Sequence, residues 1–191
     1  ASIDGRVGLS DRKKRWLTGL PMRRYVHLLR SQNDAIVTGV GTVLSDDPRL
    51  NCRNEGIAGD SPPIYVFDRL LRTPTTAKLF KSQHTVTFFC GSLATKERRD
   101  AFTAAGASVV LLPDDSVGKP DVTAGMRYLG TNGVNNALIE AGPGLVTSIL
   151  AAGAVDRIYW TQSNHILGAN ALAAVDSLGT KLANKMAILP E

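Results

Sequence analysis

The chain has 191 residues, of which 43% are hydrophobic and 20% are charged. This length and composition predict one globular domain, exclude a disordered chain, and fall short of the roughly 250 residues of an eight-fold β/α barrel. The formal net charge of +5 favours anionic partners, and phosphorylated small molecules satisfy it as well as nucleic acid does. No apolar run approaches the roughly 18 residues of a membrane span, so we expect no membrane partner.

The cysteine and histidine residues lack the spacing of metal or disulfide sites. Cys52 and Cys90 form no CxxC pair, and His27, His84 and His165 lie far apart in the sequence. So few cysteines predict a reducing, cytoplasmic location without a disulfide scaffold. We therefore predict that the chain holds no metal.

Short apolar runs alternate with amphipathic stretches along the chain. The predicted strands are residues 35–40, 64–67, 85–90, 108–112, 137–139 and 157–161. The predicted helices are residues 21–31, 96–105, 121–129 and 145–152. Apolarity that is continuous rather than alternating is typical of strands covered on both faces. The order predicts an α/β fold with a mostly parallel central sheet flanked by helices on both faces.

The first glycine-rich segment follows the strand predicted at residues 35–40. Ligands of open α/β sheets collect at the carboxyl ends of strands. There Gly39 and Gly41 let the backbone approach a ligand, and Thr42 offers a hydroxyl and an amide at a turn or helix start. Asp46 and Arg53 bring both signs of charge nearby. Taken alone, the pattern is equally typical of an ordinary strand-to-loop connection.

The second glycine-rich segment follows the strand predicted at residues 137–139. Glu140 ends this strand, and Gly142, Pro143 and Gly144 form a turn before a predicted helix. Free amides at a helix N-terminus suit a pyrophosphate. The GxGxxG match is incomplete because Thr147 stands at the third glycine position. An ordinary tight turn is the alternative, although a carboxylate at the end of a buried strand is usually paired or functional.

Two basic features have competing interpretations. Arg69 follows the strand at residues 64–67, where an arginine would pair with a 2′-phosphate and favour NADP over NAD, but a surface arginine is the more usual explanation. Residues 12–15 (RKKR) precede Trp16 and would suit phosphate contacts and stacking. One aromatic residue is no stacking platform, and a run of cations is usually a solvated loop, so we predict no nucleic-acid partner.

Together these segments resemble the reductase domain of the bifunctional riboflavin-biosynthesis deaminase-reductases. The matching segments are residues 1–6 (ASIDGR), 16–18 (WLT), 34–37 (DAIV), 41–48 (GTVLSDDP), 140–143 (EAGP), 155–156 (VD) and 166–168 (ILG), with Arg23, Arg30, Leu50 and Arg53 at the family spacing. Their order and spacing are specific, and they extend from residue 1 to about residue 168. The resemblance implies a dihydrofolate-reductase-like fold and an NADPH-dependent oxidoreductase.

The resemblance also implies site residues. The implied NADPH-binding residues are Trp16, Thr42, Asp46, Gly142, Pro143, Gly144, Leu145, Val146, Thr147 and Ser148, with Arg69 standing where the family often has a serine. The implied substrate-binding residues are Lys14, which replaces a family serine, and Arg30, Leu50, Arg53 and Glu140. Asp46 and Glu140 are the candidate catalytic residues, and the sequence does not choose the proton donor between them.

The implied reaction reduces the ribosyl group of 5-amino-6-(5-phosphoribosylamino)uracil to the ribityl product in riboflavin biosynthesis. The alternatives are a related diaminopyrimidine or pterin reductase and a non-catalytic nucleotide-binding module. We expect residues 1–191 to form one reductase domain without the family's opening and closing strands, and no H-x-E…P-C-x-x-C deaminase signature occurs in them. The family resemblance further implies a homodimer, and the chain is either the reductase part of a longer protein with a deaminase domain on its N-terminal side or a stand-alone reductase.

Overall fold

The fold consists of seven strands and five α-helices within the described residues, which are 1–9, 17–53, 61–81 and 84–178 of a computed structural model. The strands are β1 (Arg6–Gly8), β2 (Ala35–Gly39), β3 (Ile64–Phe67), β4 (Val86–Cys90), β5 (Ser108–Leu111), β6 (Ala137–Ile139) and β7 (Leu172–Ala173). The helices are α1 (Leu20–Ser31), α2 (Val40–Asp46), α3 (Lys96–Ala104), α4 (Val122–Thr131) and α5 (Pro143–Ala151), with a 3-10 helix at Lys78–Lys81.

Strands β2 to β6 form one sheet in the order β5-β4-β3-β2-β6. All neighbouring strands in it run parallel, and β1 and β7 make a separate antiparallel pair. The chain adds β3, β4 and β5 on one side of β2 and then crosses to add β6 on the other side. The strand order therefore reverses between β2 and β6, where open α/β sheets form their ligand crevice.

Helices cover both faces of the sheet because alternate side chains of each strand point to opposite faces. The first face packs against α2 and α3 through Ile64, Val66, Phe88, Val43 and Phe102. The second face packs against α4 and α5 through Tyr65, Phe67, Phe89, Leu129 and Leu145. The predicted parallel sheet with helices on both faces is confirmed.

The predicted strand at residues 157–161 is wrong. These residues form no strand, and Ile158, Tyr159 and Trp160 are exposed. An apolar run becomes a strand only where its backbone pairs with a neighbouring strand, and β6 pairs with β2 alone within the part of the chain described. The sequence pattern also extended β2 through Val40, whereas the chain turns into α2 at that residue.

Two of the family motifs meet at the N-terminus. The Asp4 carboxylate accepts hydrogen bonds from the amides of Leu167 at 3.1 Å and Gly168 at 2.7 Å. The Ser2 hydroxyl donates to the same carboxylate at 2.6 Å. These hydrogen bonds, that of Ser2 first, lower the pKa of Asp4 to about 2. The ASIDGR and ILG motifs thus have a structural role, since one anchors the other.

Candidate active site

The two glycine-rich segments are brought together at the carboxyl ends of β2 and β6. The Gly142 amide donates to the Thr42 hydroxyl oxygen at 3.1 Å, which joins the start of α5 to the first turn of α2. A Cβ on Gly39 would stand 3.4 Å from the Leu145 side chain, so the end of β2 packs closely against α5. The two segments, about 100 residues apart in the sequence, therefore form one site.

The N-terminus of α5 is open to an anion. Gly142 is its N-cap and provides no side-chain cap, while Pro143 in the first turn has no amide to donate. The amides of Gly144 and Leu145 lie in the first turn of the helix, where no preceding helical carbonyl is in place to accept their hydrogen bonds. No atom lies within 4 Å of the position where a Gly144 Cβ would stand. This geometry fits a phosphate or pyrophosphate group on the positive end of the helix dipole.

The two hydroxyls predicted to add donors at this turn make contacts within the chain. Thr147 Oγ1 accepts from the Asp176 amide at 2.8 Å, and Ser148 Oγ donates to the Gly144 carbonyl at 3.0 Å. The Thr147 hydroxyl hydrogen is left to donate, whereas the Ser148 hydrogen is already engaged. Their cofactor contacts stay predictions.

Arg30 and Glu140 form a bidentate ion pair beside this turn. Arg30 Nε lies 2.6 Å from Glu140 Oε1, and Arg30 Nη2 lies 2.7 Å from Oε2. Arg30 Nη1 also donates to the Asn51 carbonyl at 2.9 Å, so the buried guanidinium joins α1, the end of β6 and the loop after α2. The Thr38 hydroxyl donates to the Glu140 carbonyl at 2.7 Å. Glu140 is thus held at both its backbone and its carboxylate.

Arg53 adds positive charge next to this pair. Its pKa is lowered, first by desolvation and then by the neighbouring cations Arg30 and Arg49. Of these three arginines, Arg30 is the one whose guanidinium contacts a carboxylate in the ion pairs described. Guanidinium groups whose charges repel one another favour a bound phosphate, which neutralises the repulsion.

His27 belongs to the same cluster and was not found from the sequence. It lies three residues before Arg30 on α1, and desolvation lowers its pKa, followed by the charges of Arg30 and Arg53. The sequence carried one signal for it, since residues three apart on a predicted helix share a face. The imidazole therefore borders the arginine cluster as a neutral group at pH 7.

Asp46 and Leu50 differ in how their side chains are placed. Asp46 ends α2, four residues after Thr42, so the two share a helix face, and it is half-buried. Leu50 is only 3% exposed and packs in the core cluster with α2 and α3. A substrate contact at Leu50 would therefore involve its backbone, which adopts a left-handed φ of 50°. Both assignments stay predictions.

Arg69 lies on the same sheet edge, at the end of β3. Strand spacing of about 4.8 Å puts the end of β3 about 10 Å from the end of β6, with β2 between them. Arg69 Nε is buried without a hydrogen-bond partner, and Nη2 lies 3.0 Å from where a Gly118 Cβ would stand. An unpaired buried N–H is costly, so this arginine is ready for an anionic acceptor.

Three predictions fall on residues outside those described. They are the NADPH contact of Trp16, the substrate contact of Lys14, and the basic run at residues 12–15. Within the described ranges, no group of three or more His, Cys, Asp or Glu side chains is placed to hold a metal ion. None of the described helices combines the length and apolarity needed to cross a bilayer.

Comparison with known proteins agrees with the motif resemblance. A family model described as "RibD C-terminal domain" matches residues 1–188. The riboflavin biosynthesis protein RibD of Escherichia coli (strain K12) is 31% identical over 182 residues, covering 90% of this chain and 48% of that protein. The 2,5-diamino-6-ribosylamino-4(3H)-pyrimidinone 5′-phosphate reductase of Archaeoglobus fulgidus is 29% identical over 170 residues, covering 84% of this chain and 76% of that protein.

The fold agrees with a solved structure. Acinetobacter baumannii RibD, form 1, superposes with a TM-score of 0.80 at 25% identity, covering 97% of this chain and 50% of that one. This confirms the dihydrofolate-reductase-like α/β fold implied by the motifs. The chain spans about half the length of the RibD proteins it matches.

Proposed function

Because the chain belongs to the RibD C-terminal domain family, we propose that it is a riboflavin-biosynthesis reductase. The reaction reduces the ribosyl group of 5-amino-6-(5-phosphoribosylamino)uracil to a ribityl group with NADPH. The observation that carries the proposal is the adjacency of two anion sites. One is the uncapped N-terminus of α5, and the other is the arginine cluster around Arg30 and Arg53. A dinucleotide and a sugar phosphate together require two such sites.

The residues present fit a dinucleotide. The amides of Gly144 and Leu145 would hold its pyrophosphate, and Arg69, with its unpaired buried Nε, would hold the 2′-phosphate that distinguishes NADPH from NADH. Thr42 and Asp46 share the face of α2 that adjoins this turn. The reduced nicotinamide supplies a hydride when bound. The chain binds and aligns the two reactants.

The arginine cluster would hold the ribose phosphate of the substrate. Arg53 is exposed and takes part in none of the ion pairs described, and we assign its guanidinium to this phosphate. Reduction adds a hydride to C1′ of the opened ribosyl group and one proton to the nitrogen on that carbon. Both Glu140 oxygens accept hydrogen bonds from Arg30, which suits Glu140 to orient the substrate. We therefore assign proton delivery to Asp46.

The assembly proposed for the protein follows from the family. Coverage of 48% of the Escherichia coli relative supports a reductase domain linked to a second domain, which the resemblance identifies as a deaminase. A homodimer is supported by exposed apolar side chains on α1, namely Leu20, Tyr25 and Leu28. A cytoplasmic location stays a prediction.

A second substrate has support of its own. The Archaeoglobus fulgidus relative, of which this chain covers 76%, is named for reducing a 2,5-diamino-pyrimidinone phosphate. That compound carries an amino group where the uracil substrate has a carbonyl. The same ribosyl phosphate would occupy the arginine cluster, so only the base distinguishes the two candidates.

The test is NADPH oxidation by the purified chain with each of the two pyrimidines, with the ribityl product identified by mass spectrometry. Faster turnover of the aminouracil supports the first assignment, and faster turnover of the diamino compound supports the second. Failure to bind NADPH would contradict the proposed function. Binding of NADPH without turnover of either pyrimidine would favour the nucleotide-binding module.

Arg53→Ala separates the two anion sites. We expect it to raise the KM for the pyrimidine at least about tenfold, since it removes a charged phosphate contact, while the Kd for NADPH stays within about twofold. Arg72→Ala removes an exposed arginine elsewhere on the surface and is the matched control. Equal losses in KM and Kd would contradict the assignment of Arg53 to the substrate.

A further inference from the structure

At the same carboxyl edge of the sheet, the Asp114 carboxylate occupies hydrogen-bond donors that would suit an anionic ligand. Asp114 follows β5, and its carboxylate accepts hydrogen bonds from both the amide and the hydroxyl of Ser92, which lies just after β4. The amide nitrogen lies 3.2 Å from Asp114 Oδ2. A Cβ on Gly91 would collide with Asp114 Oδ1, so the carboxylate lies directly on the bare backbone at the end of β4.

Arg69 also lies against Gly91. Its Cγ is 3.5 Å from the position of the same Gly91 Cβ, and the Gly91 amide donates to the Arg69 carbonyl at 3.0 Å. Arg69 Nε has no hydrogen-bond partner although it is buried. The end of β4 therefore carries two N–H or O–H donors on Ser92 and an unsatisfied guanidinium donor on Arg69. The anion that accepts hydrogen bonds from the Ser92 amide and hydroxyl is the chain's own Asp114 carboxylate.

We propose that Asp114 is a specificity-determining residue that sets the preference between NADPH and NADH. The inference rests on the proposed function and on the assignment of Arg69 to the 2′-phosphate. A 2′-phosphate that reaches Arg69 and the Ser92 donors displaces the Asp114 carboxylate, because two anions cannot share the same donors. A 2′-hydroxyl needs no displacement, since it donates a hydrogen bond to the carboxylate. Arg69 thus favours NADPH, and Asp114 limits that preference.

The turn that carries Asp114 does not depend on its side chain. Asp115 Oδ1 accepts from the amides of Val117 at 3.0 Å and Lys119 at 2.8 Å. The Asp121 amide donates to the Pro113 carbonyl at 2.8 Å and closes the same turn. Substitution of Asp114 therefore changes the charge facing Ser92 and leaves the backbone of the turn in place.

The experiment measures the Kd of NADPH and of NADH by calorimetric titration for the unaltered chain, Asp114→Asn and Asp115→Asn. Adenosine 2′,5′-bisphosphate and AMP serve as fragments that probe the subsite without any hydride transfer. We expect Asp114→Asn to shift the Kd ratio about tenfold toward NADPH and to shift the fragment ratio in the same direction. Asp115→Asn removes the same charge from the same turn but not from Ser92, so its ratio should change less than about twofold.

Asp114→Ser, which also removes the carboxylate, should reproduce the shift. An unchanged ratio in both Asp114 variants, or a shift toward NADH, overturns the inference and leaves the proposed function intact. An equal shift in Asp115→Asn overturns it as well, because general electrostatics would then account for the effect. If the unaltered chain binds neither dinucleotide, the proposed function fails, and this inference fails with it.

Discussion

At the scale of single residues, the pair Arg30–Glu140 links the stability of the site to its function. The Arg30 side chain is 10% exposed and that of Glu140 is 22% exposed, so both charges are largely removed from water. A charge in such a place is stabilised by its partner, and removal of one partner leaves the other uncompensated. The same contact fixes the carboxylate that the substrate would meet.

Arg30→Ala and Glu140→Ala should each lower the free energy of unfolding by about 3 kcal/mol, and the double variant should lose clearly less than the sum. Urea unfolding of the four proteins of the double-mutant cycle measures the coupling. The exposed pair Lys96–Asp100, with 2.6 Å between its charged atoms, is the control, with a coupling of at most about 0.5 kcal/mol. Strictly additive losses at the first pair would show that it is not coupled.

His27 predicts a pH dependence of stability. Its pKa in the folded chain lies below the ordinary value of 6.5, mainly because of desolvation and then because of Arg30 and Arg53. As the pH falls through about 6.5, the unfolded chain therefore takes up a proton that the folded chain does not yet bind. The contribution of His27 to the free energy of unfolding therefore has its full value above pH 6.5. It decreases as the pH falls from there to the lower pKa of His27 in the folded chain.

His27→Gln should therefore flatten the decrease in the free energy of unfolding between pH 7 and the folded-state pKa of this histidine. Urea unfolding at several pH values, for the unaltered chain and the variant, checks this difference in slope. Identical slopes would mean that His27 titrates alike in both states and does not lie against the arginine cluster.

At the scale of elements, the start of α5 is the part of the site that most depends on an absent side chain. Gly144 has an ordinary helical backbone and open space around it. A side chain there would not strain the helix, but it would project in front of the free amides. The backbone conformation therefore does not require a glycine at this position, and its lack of a side chain leaves the free amides accessible.

Gly144→Leu should retain the thermal stability of the chain and weaken NADPH at least about tenfold, because the side chain occupies the place of the pyrophosphate. Gly130→Leu is the matched control, since Gly130 also lies in a helix with no atom within 4 Å of its Cβ position. It should leave the Kd for NADPH unchanged. Unchanged affinity in Gly144→Leu would remove this turn from the cofactor site.

Elements with local signals were predictable from the sequence. Thr95 and Asp121 cap α3 and α4 as their side chains and positions suggest, accepting from the amides of Arg98 and Thr123. Central strands such as β3 are apolar throughout, because helices cover both of their faces. The run at residues 157–161 (RIYWT) is likewise rich in aromatic and β-branched residues but forms no strand, since a strand also requires a paired neighbour.

At the scale of the whole molecule, the strand order creates the site. The crossover from β5 to β6 brings the carboxyl end of β6 beside that of β2, so α5 and α2 start side by side. The ends of β3 and β4 lie farther along the same edge and carry Arg69 and Ser92. A ligand as long as a dinucleotide can therefore cross several strand ends without leaving the edge.

The sequence by itself determined the family, the α/β class and the two glycine-rich segments, because periodicity, caps and motif spacing are local properties of the chain. Only the tertiary structure decided that Arg30 pairs with Glu140, 110 residues away, that Leu50 is buried in the core, and that Asp114 occupies the donors of Ser92. These contacts depend on which strand lies next to which. That order follows from the packing of the whole sheet, and no local pattern encodes it.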